Sequence, residues 1–221
     1  MKNLIEVEHY HFPYTDLRFP GMNEGERILF VTRESEIMQK LHLAIVTTVA
    51  LLLAGLGIFF ISSLSVLIPQ MNMFQLPLLL LSGLVFIVGI WWVTQTYKKS
   101  VFIITTRRLT KIIYTTPFTW YQFSLGLDEI EDTGSYSSSY LEAVFGLGYC
   151  VARSGAGAIK NFKIVNITYA RDLHNYVNKL LYAFKHHPSR INEFRPFIPN
   201  VTAGKREELF RKYPEYKTEF D

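Results

Sequence analysis

The pattern of apolar and polar positions divides the chain into two regimes. From Leu41 to Tyr97 there is no Asp, Glu, Lys or Arg. A membrane-crossing helix needs roughly 20 apolar residues to cover about 30 Å of hydrocarbon, so this block can supply two. The first is Leu41–Ser63 and the second Leu78–Tyr97. Between them, Pro69, Gln70, Asn72, Gln75 and Pro77 read as a turn region. Trp91, Trp92 and Tyr97 fall where an aromatic belt would meet the membrane–water interface. A stretch this long that is apolar on every side argues against a buried hairpin in a soluble protein.

Beyond Lys99 the period changes. Val, Ile, Thr, Tyr and Phe dominate, as on a pleated surface. Strands are predicted at Ser100–Thr105, Leu109–Thr115, Phe118–Leu125, Ile130–Ser137, Tyr149–Ser154 and Ile159–Ile167. Gly155–Gly157 reads as a tight turn, and Ala143–Gly148 as a turn or bulge. From Tyr169 to Phe184 the period lengthens again. Leu173, Tyr176, Leu180 and Phe184 form one stripe of an amphipathic helix, with Thr168 as its N-cap. Antiparallel strands followed by one such helix predict a membrane helical hairpin plus an all-β barrel that the C-terminal helix closes.

Four segments follow: an N-terminal cytoplasmic segment (1–40), the two-helix hairpin (41–97), the β domain (98–187), and a partly disordered tail (188–221). In the tail, Thr202 and "AGKREELFRKY" predict a short helix ending before Pro214. Within the hairpin, Thr47, Ala50, Ala54 and Gly57 line one helix, and Ser82, Gly89 and Thr96 recur on the other. Small residues let membrane helices approach closely. They predict packing within the hairpin, with association between copies as the alternative.

Charge sets the orientation. The 221 residues include 23 Lys and Arg and 19 Asp and Glu. Residues before Leu41 sum to −2 and those after Tyr97 to +6, while the inter-helix loop is uncharged. Basic residues near membrane ends mark the cytoplasmic side. Arg33 and Lys40 precede the first helix, and Lys98, Lys99, Arg107, Arg108 and Lys111 follow the second. Both termini are therefore expected in the cytoplasm, with the chain in the inner (cytoplasmic) membrane.

The same five C-terminal residues are the candidate contact for anionic lipid headgroups. Each basic residue near an anionic leaflet contributes about 1 kcal/mol of attraction. Their other reading is a topology signal alone. No stripe of interleaved basic and stacking residues points to nucleic acid.

No enzyme constellation holds. "GAGAIK" (Gly155–Lys160) joins two strands, so it lacks the strand-to-helix setting of a phosphate-cradling loop. "HYH" (His9–His11) lacks a third metal ligand. The carboxylates of "DEIED" (Asp128–Asp132) read as a solvated strand edge. Cys150, the single cysteine, cannot form an intrachain disulfide and reads as a small buried hydrophobe. The membrane helices carry no Asp, Glu, Lys or Arg to line a transport pathway. No catalysis, cofactor or metal is expected.

Several stretches resemble the bacterial pleckstrin-homology domain, type 2. They are "ITTRRLTKI" (Ile104–Ile112), "LDEIED" (Leu127–Asp132), "FGLGYCVARSG" (Phe145–Gly155) and "NFKIVNITYARDLHNYVNKL" (Asn161–Leu180). "PGMNEGERILFVTRES" (Pro20–Ser35) resembles the segment by which such proteins approach their first helix. The resemblance runs from about Glu24 to Phe184. It departs from the family's pattern at the second hairpin, where "YTTPFTW" replaces the usual glycine. It implies paired membrane helices beside a small β domain whose open corner one helix plugs. By position alone, it also implies a headgroup site near Arg107 and Arg108. The function expected is a membrane-anchored interaction or scaffolding module. The alternative is an accessory subunit or assembly factor of a larger membrane complex, associating through its helices.

Overall fold

The computed structural model describes residues 2–3, 14, 17–155, 161–199 and 203–214. A minimal parallel pair, β1 (Lys2–Asn3) and β2 (Leu17–Arg18), precedes β3 (Ile28–Thr32). Two long helices follow, α1 (Glu36–Ser65) and α2 (Gln75–Lys99), joined through a 3-10 turn at Pro69–Phe74. Both are long and apolar enough to cross a membrane, and almost none of their side chains are buried within the chain. A soluble core hairpin would bury them. The small residues serve the hairpin's own contact. Ser82 Oγ donates to the carbonyl of Ala50 at 2.7 Å. A Cβ at Gly57 would collide with Leu78, and one at Gly89 with Val46.

After α2 come β4 (Val101–Thr105), β5 (Arg108–Tyr114), β6 (Trp120–Gly126) and β7 (Ile130–Tyr136). A short helix α3 (Tyr140–Val144), β8 (Gly148–Ser154), β9 (Phe162–Ile167), α4 (Ala170–His186) and α5 (Ala203–Lys212) complete the order. The strands make two antiparallel sheets, β3-β4-β5-β6 and β7-β8-β9. The closed barrel expected from the alternation is not formed. Among the described residues no ladder joins the two sheets, and both remain open. Side chains span the gap instead: Phe123 of β6 stacks on Phe162 of β9 with ring centroids 6.3 Å apart.

The six strands predicted after Lys99 all occur, with ends shifted by a few residues. The first strand of the larger sheet was not predicted. β3 precedes the hairpin, yet it pairs antiparallel with β4, Val31 opposite Ile103 and Thr32 opposite Phe102. Segment 1–40 therefore contributes to the β region beyond Lys98 and is not separate from it. Every residue of β3 and of β4 is buried. That gives continuous apolar runs without the alternation by which half-exposed strands are recognised.

Helix α4 lies across β7 and β8. Leu173, Val177 and Leu180 are fully enclosed, and Tyr176 and Phe184 pack at the margin. Its first turn opens at Tyr169 without a side-chain cap, so Thr168 is not the N-cap. The Ala143–Gly148 stretch holds the end of α3 and a turn at Gly146, whose φ of +63° favours glycine.

The tail is more integrated than its composition implies. Phe194 and Phe197 enter the main core. Phe197 N–H donates to the carbonyl of Leu29 at 3.0 Å, and its ring meets Phe30 edge-on at 4.9 Å. The outer edge of β3 is thus partly covered by the tail, which blunts an exposed strand edge. The short helix expected near 203–213 is present as α5; Thr202 lies outside the described residues.

Two expectations follow. Phe197→Ala opens a cavity beside Phe30 and should cost about 3–5 kcal/mol, read as a fall in the melting temperature of the detergent-solubilised chain. Leu180→Asp places an unpaired charge in the same core. An unchanged melting temperature for Leu180→Asp would show that α4 is not packed as described.

Candidate functional site

The five basic residues expected to form one cluster are divided by the fold. Lys98 and Lys99 close α2. Arg107 and Arg108 lie at the β4–β5 turn, at the other end of β4. Five strand residues separate the pairs by roughly 15 Å, beyond the screening length of about 8 Å at physiological salt.

Each residue has a different use. Lys99 Nζ donates to the carbonyl of Pro117 at 3.1 Å and sits 5.4 Å from the centre of the Tyr114 ring. Lys111 lies over the seam between the sheets, its Nζ 5.4 Å from the Phe123 ring and 5.9 Å from that of Phe162. Burial, and then the nearby Lys163, lower its pKa below the usual lysine value. Lys111 is thus spent on aromatic faces of the fold. Lys98 and Arg107 stay at the surface.

Arg108 is the clearest departure from expectation. Its Nε donates to Glu26 Oε1 and its Nη2 to Glu26 Oε2, both at 3.0 Å. The Glu26 side chain has no solvent exposure. Thr105 Oγ1 also donates to this carboxylate at 2.6 Å, and the backbone N–H of Asn23 at 2.9 Å. Arg108 also donates to the Gly21 carbonyl and lies over the Phe19 ring. Burial alone would raise the Glu26 pKa. The donors, Arg108 first, outweigh it and hold the carboxyl below its ordinary range. Arg108 therefore ties the N-terminal segment to the β4–β5 turn. In the sequence Glu26 stands out only as part of the Pro20–Ser35 stretch, with no partner indicated.

A polar site does form where the helices meet the sheet. Glu34, His42, Val93, Thr96, Tyr97, Ser100, Ile113 and Tyr114 line a cleft of 310 Å³. Tyr97 Oη donates to the Glu34 carbonyl at 3.0 Å, and Asn166 Nδ2 to Glu34 Oε2 at 3.1 Å. Ser35 caps α1 by accepting from Ile37 N–H, and its own N–H donates to the Asn166 carbonyl at 2.8 Å. On the exit side, Ser100 Oγ donates to the Thr96 carbonyl at 2.8 Å and accepts from Tyr114 N–H at 3.0 Å. Both joints between the hairpin and the sheets are therefore fixed by hydrogen bonds. Chemically the cleft offers a carboxylate, an imidazole and two phenols. It is suited to a hydrogen-bond donor or a cationic group more than to a phosphate.

Among the described residues no group of three or more His, Cys, Asp or Glu side chains is placed to hold a metal. His9 and His11 lie outside the described residues, as do positions 156–160 of "GAGAIK". Of the acidic stretch, Asp128 and Glu129 fall in a 3-10 turn, and Asp132 pairs with Arg153 at 2.9 Å at the surface. Cys150 is buried, and burial pushes its thiol up to about 12, which keeps it un-ionised and inert. No family model, no curated protein and no solved structure matches this chain.

Removing one partner of a buried ion pair leaves the other uncompensated. Arg108→Ala should cost about 3–5 kcal/mol, whereas Arg107→Ala should leave the melting temperature nearly unchanged. The pair also sets a pH dependence. Glu26 is more acidic folded than unfolded, so its contribution is complete above the ordinary carboxylate pKa. It is lost as pH falls through the lower, folded value. A melting series into the acid range should show this loss in the native chain and a shallower one in Glu26→Gln.

Proposed function

We propose that this chain is a membrane-anchored interaction or scaffolding module. In this reading it crosses the bacterial inner membrane twice and holds a pleckstrin-homology-like domain against the cytoplasmic face, without catalysis of its own. The observation that carries it is the pairing of β3 with β4 across the hairpin. The helices are inserted within one sheet, and both connections are short and hydrogen-bonded. A domain held this way keeps one face towards the bilayer and presents the others at a fixed height and angle. That suits docking of a partner, and it offers none of the swing of a domain on a linker. The order of four strands, three strands and a helix supports the pleckstrin-homology likeness.

Anionic headgroups are a secondary ligand in this reading, met at the end of α2 by the exposed Lys98, with Lys99 contributing only beyond its bond to the Pro117 carbonyl. The Arg107–Arg108 turn is not assigned this role, because Arg108 is committed to Glu26.

The reading has two tests. An alkaline phosphatase fused to the C-terminus should be inactive in cells, since both ends are assigned to the cytoplasm; an active fusion inverts the topology. The full chain, purified in mild detergent and weighed by native mass spectrometry, should carry a stoichiometric protein or retained anionic lipid. A chain that carries neither speaks against an interaction module.

A further inference from the structure

The turn between β5 and β6 is unusual for a loop at a domain surface. It runs Thr115–Thr116–Pro117–Phe118–Thr119 into Trp120. Phe118 is 77% exposed and Trp120 54%. Yet Phe118 does not face open space on all sides: its ring lies 5.9 Å from that of Trp91 on α2. Trp91 precedes the end of α2 at Lys99 by about 12 Å of helix. A side chain in contact with Trp91 therefore sits on the membrane side of Lys98 and Lys99.

The backbone of the turn is arranged to match. Tyr114 N–H donates to Ser100 Oγ. Thr115 and Thr116 N–H donate to the Thr119 carbonyl at 3.1 and 3.3 Å. Phe118 and Thr119 N–H donate to Thr116 Oγ1 at 3.2 and 2.9 Å. Pro117 has no N–H, and its carbonyl accepts from Lys99. Every backbone N–H from Tyr114 to Thr119 thus has an acceptor within the chain. Pairing of its N–H groups within the chain lowers the cost of moving this turn out of water.

We infer that the β5–β6 turn is a third membrane anchor. It inserts Phe118 and Trp120 into the interfacial zone of the leaflet from which α2 emerges, beside Trp91. The occupant of this apolar surface is phospholipid, because the surface is continuous with α2 and lies at the depth of its aromatic residues. Aromatic side chains favour that zone. The inference rests on reading α2 as membrane-spanning.

The test uses the full chain in phosphatidylcholine–phosphatidylglycerol vesicles. Cys150 is replaced by Ala, and a nitroxide is placed by Phe118→Cys, by Leu84→Cys at mid-helix, or by Arg107→Cys at the far end of β4. Accessibility to oxygen and to a water-soluble nickel chelate is read by electron paramagnetic resonance. The oxygen-to-nickel ratio at 118 should exceed that at 107 and fall below that at 84, as an interfacial position requires. A second measurement keeps Phe118: in Trp91→Phe/Trp92→Phe, Trp120 is the lone tryptophan and should be quenched by lipids brominated near the glycerol end of the acyl chain. Both results are required.

A nitroxide at 118 that the chelate reaches as readily as at 107 overturns the inference, and so does an unquenched Trp120. Shelter of position 118 from both reagents places protein, such as a second copy, over the turn and overturns it too. In each case a lipid-exposed position 84 leaves the spanning reading standing. A chelate-accessible position 84 removes that reading, and the anchor with it.

Discussion

The antiparallel pairing of β3 with β4 constrains everything else in this structure. Neighbouring strands lie about 4.8 Å apart, whereas packed helices lie about 8–10 Å apart. Residues 33–35 and Ser100 must absorb the difference. They do so with little chain, so the bonds of Ser35, Asn166, Tyr97 and Ser100 set the angle between hairpin and sheets. The small residues of the hairpin serve the same end. Gly57, Gly89 and Ser82 let the helices close to a separation that the strand pair can accept.

Glu26 adds a second tie at the other end of the sheet. A buried carboxylate stabilises little by itself, since its desolvation offsets most of the attraction it gains. What it adds is specificity. Four donors from Asn23, Thr105 and Arg108 fix the segment leading into β3 in one register against the β4–β5 turn. A one-residue slip of β3 would leave the charge without them. The arginine that looked like a surface headgroup contact is therefore part of the alignment of the sheet.

The helices, six of the strands and α4 were legible in the sequence because their patterns are strong and local. The hairpin is unbroken in its hydrophobicity. β5, β6 and the strands after them show β-branched and aromatic runs between turns, and α4 carries one stripe. β3 was not legible because its five residues are all buried and its partner lies beyond 57 uncharged residues. The open seam between the sheets could not be read from alternation, which reports faces and not closure. The five basic residues do not form one cluster for a related reason. Proximity in sequence suggested a cluster, but a strand between Lys99 and Arg107 carries charges apart as effectively as a helix stacks them. Phe194 and Phe197 stand in a tail rich in charges and prolines, and nothing local indicated that they would cover Tyr176 and Phe30.

The insertion of the hairpin within a sheet also dictates an order of assembly. β3 leaves the ribosome before either helix, and its partner only after both. Until then β3 is an apolar segment with unpaired backbone groups, the kind that associates wrongly when left exposed. Closing so large a loop would be slow for a free chain. On the proposed membrane reading, insertion of the two helices would shorten the search, because it would return the chain to within a few residues of where β3 waits. The bilayer would then serve this β region as a folding template. A fragment beginning at Lys98 would possess the sequence of a domain but lack the strand that completes it.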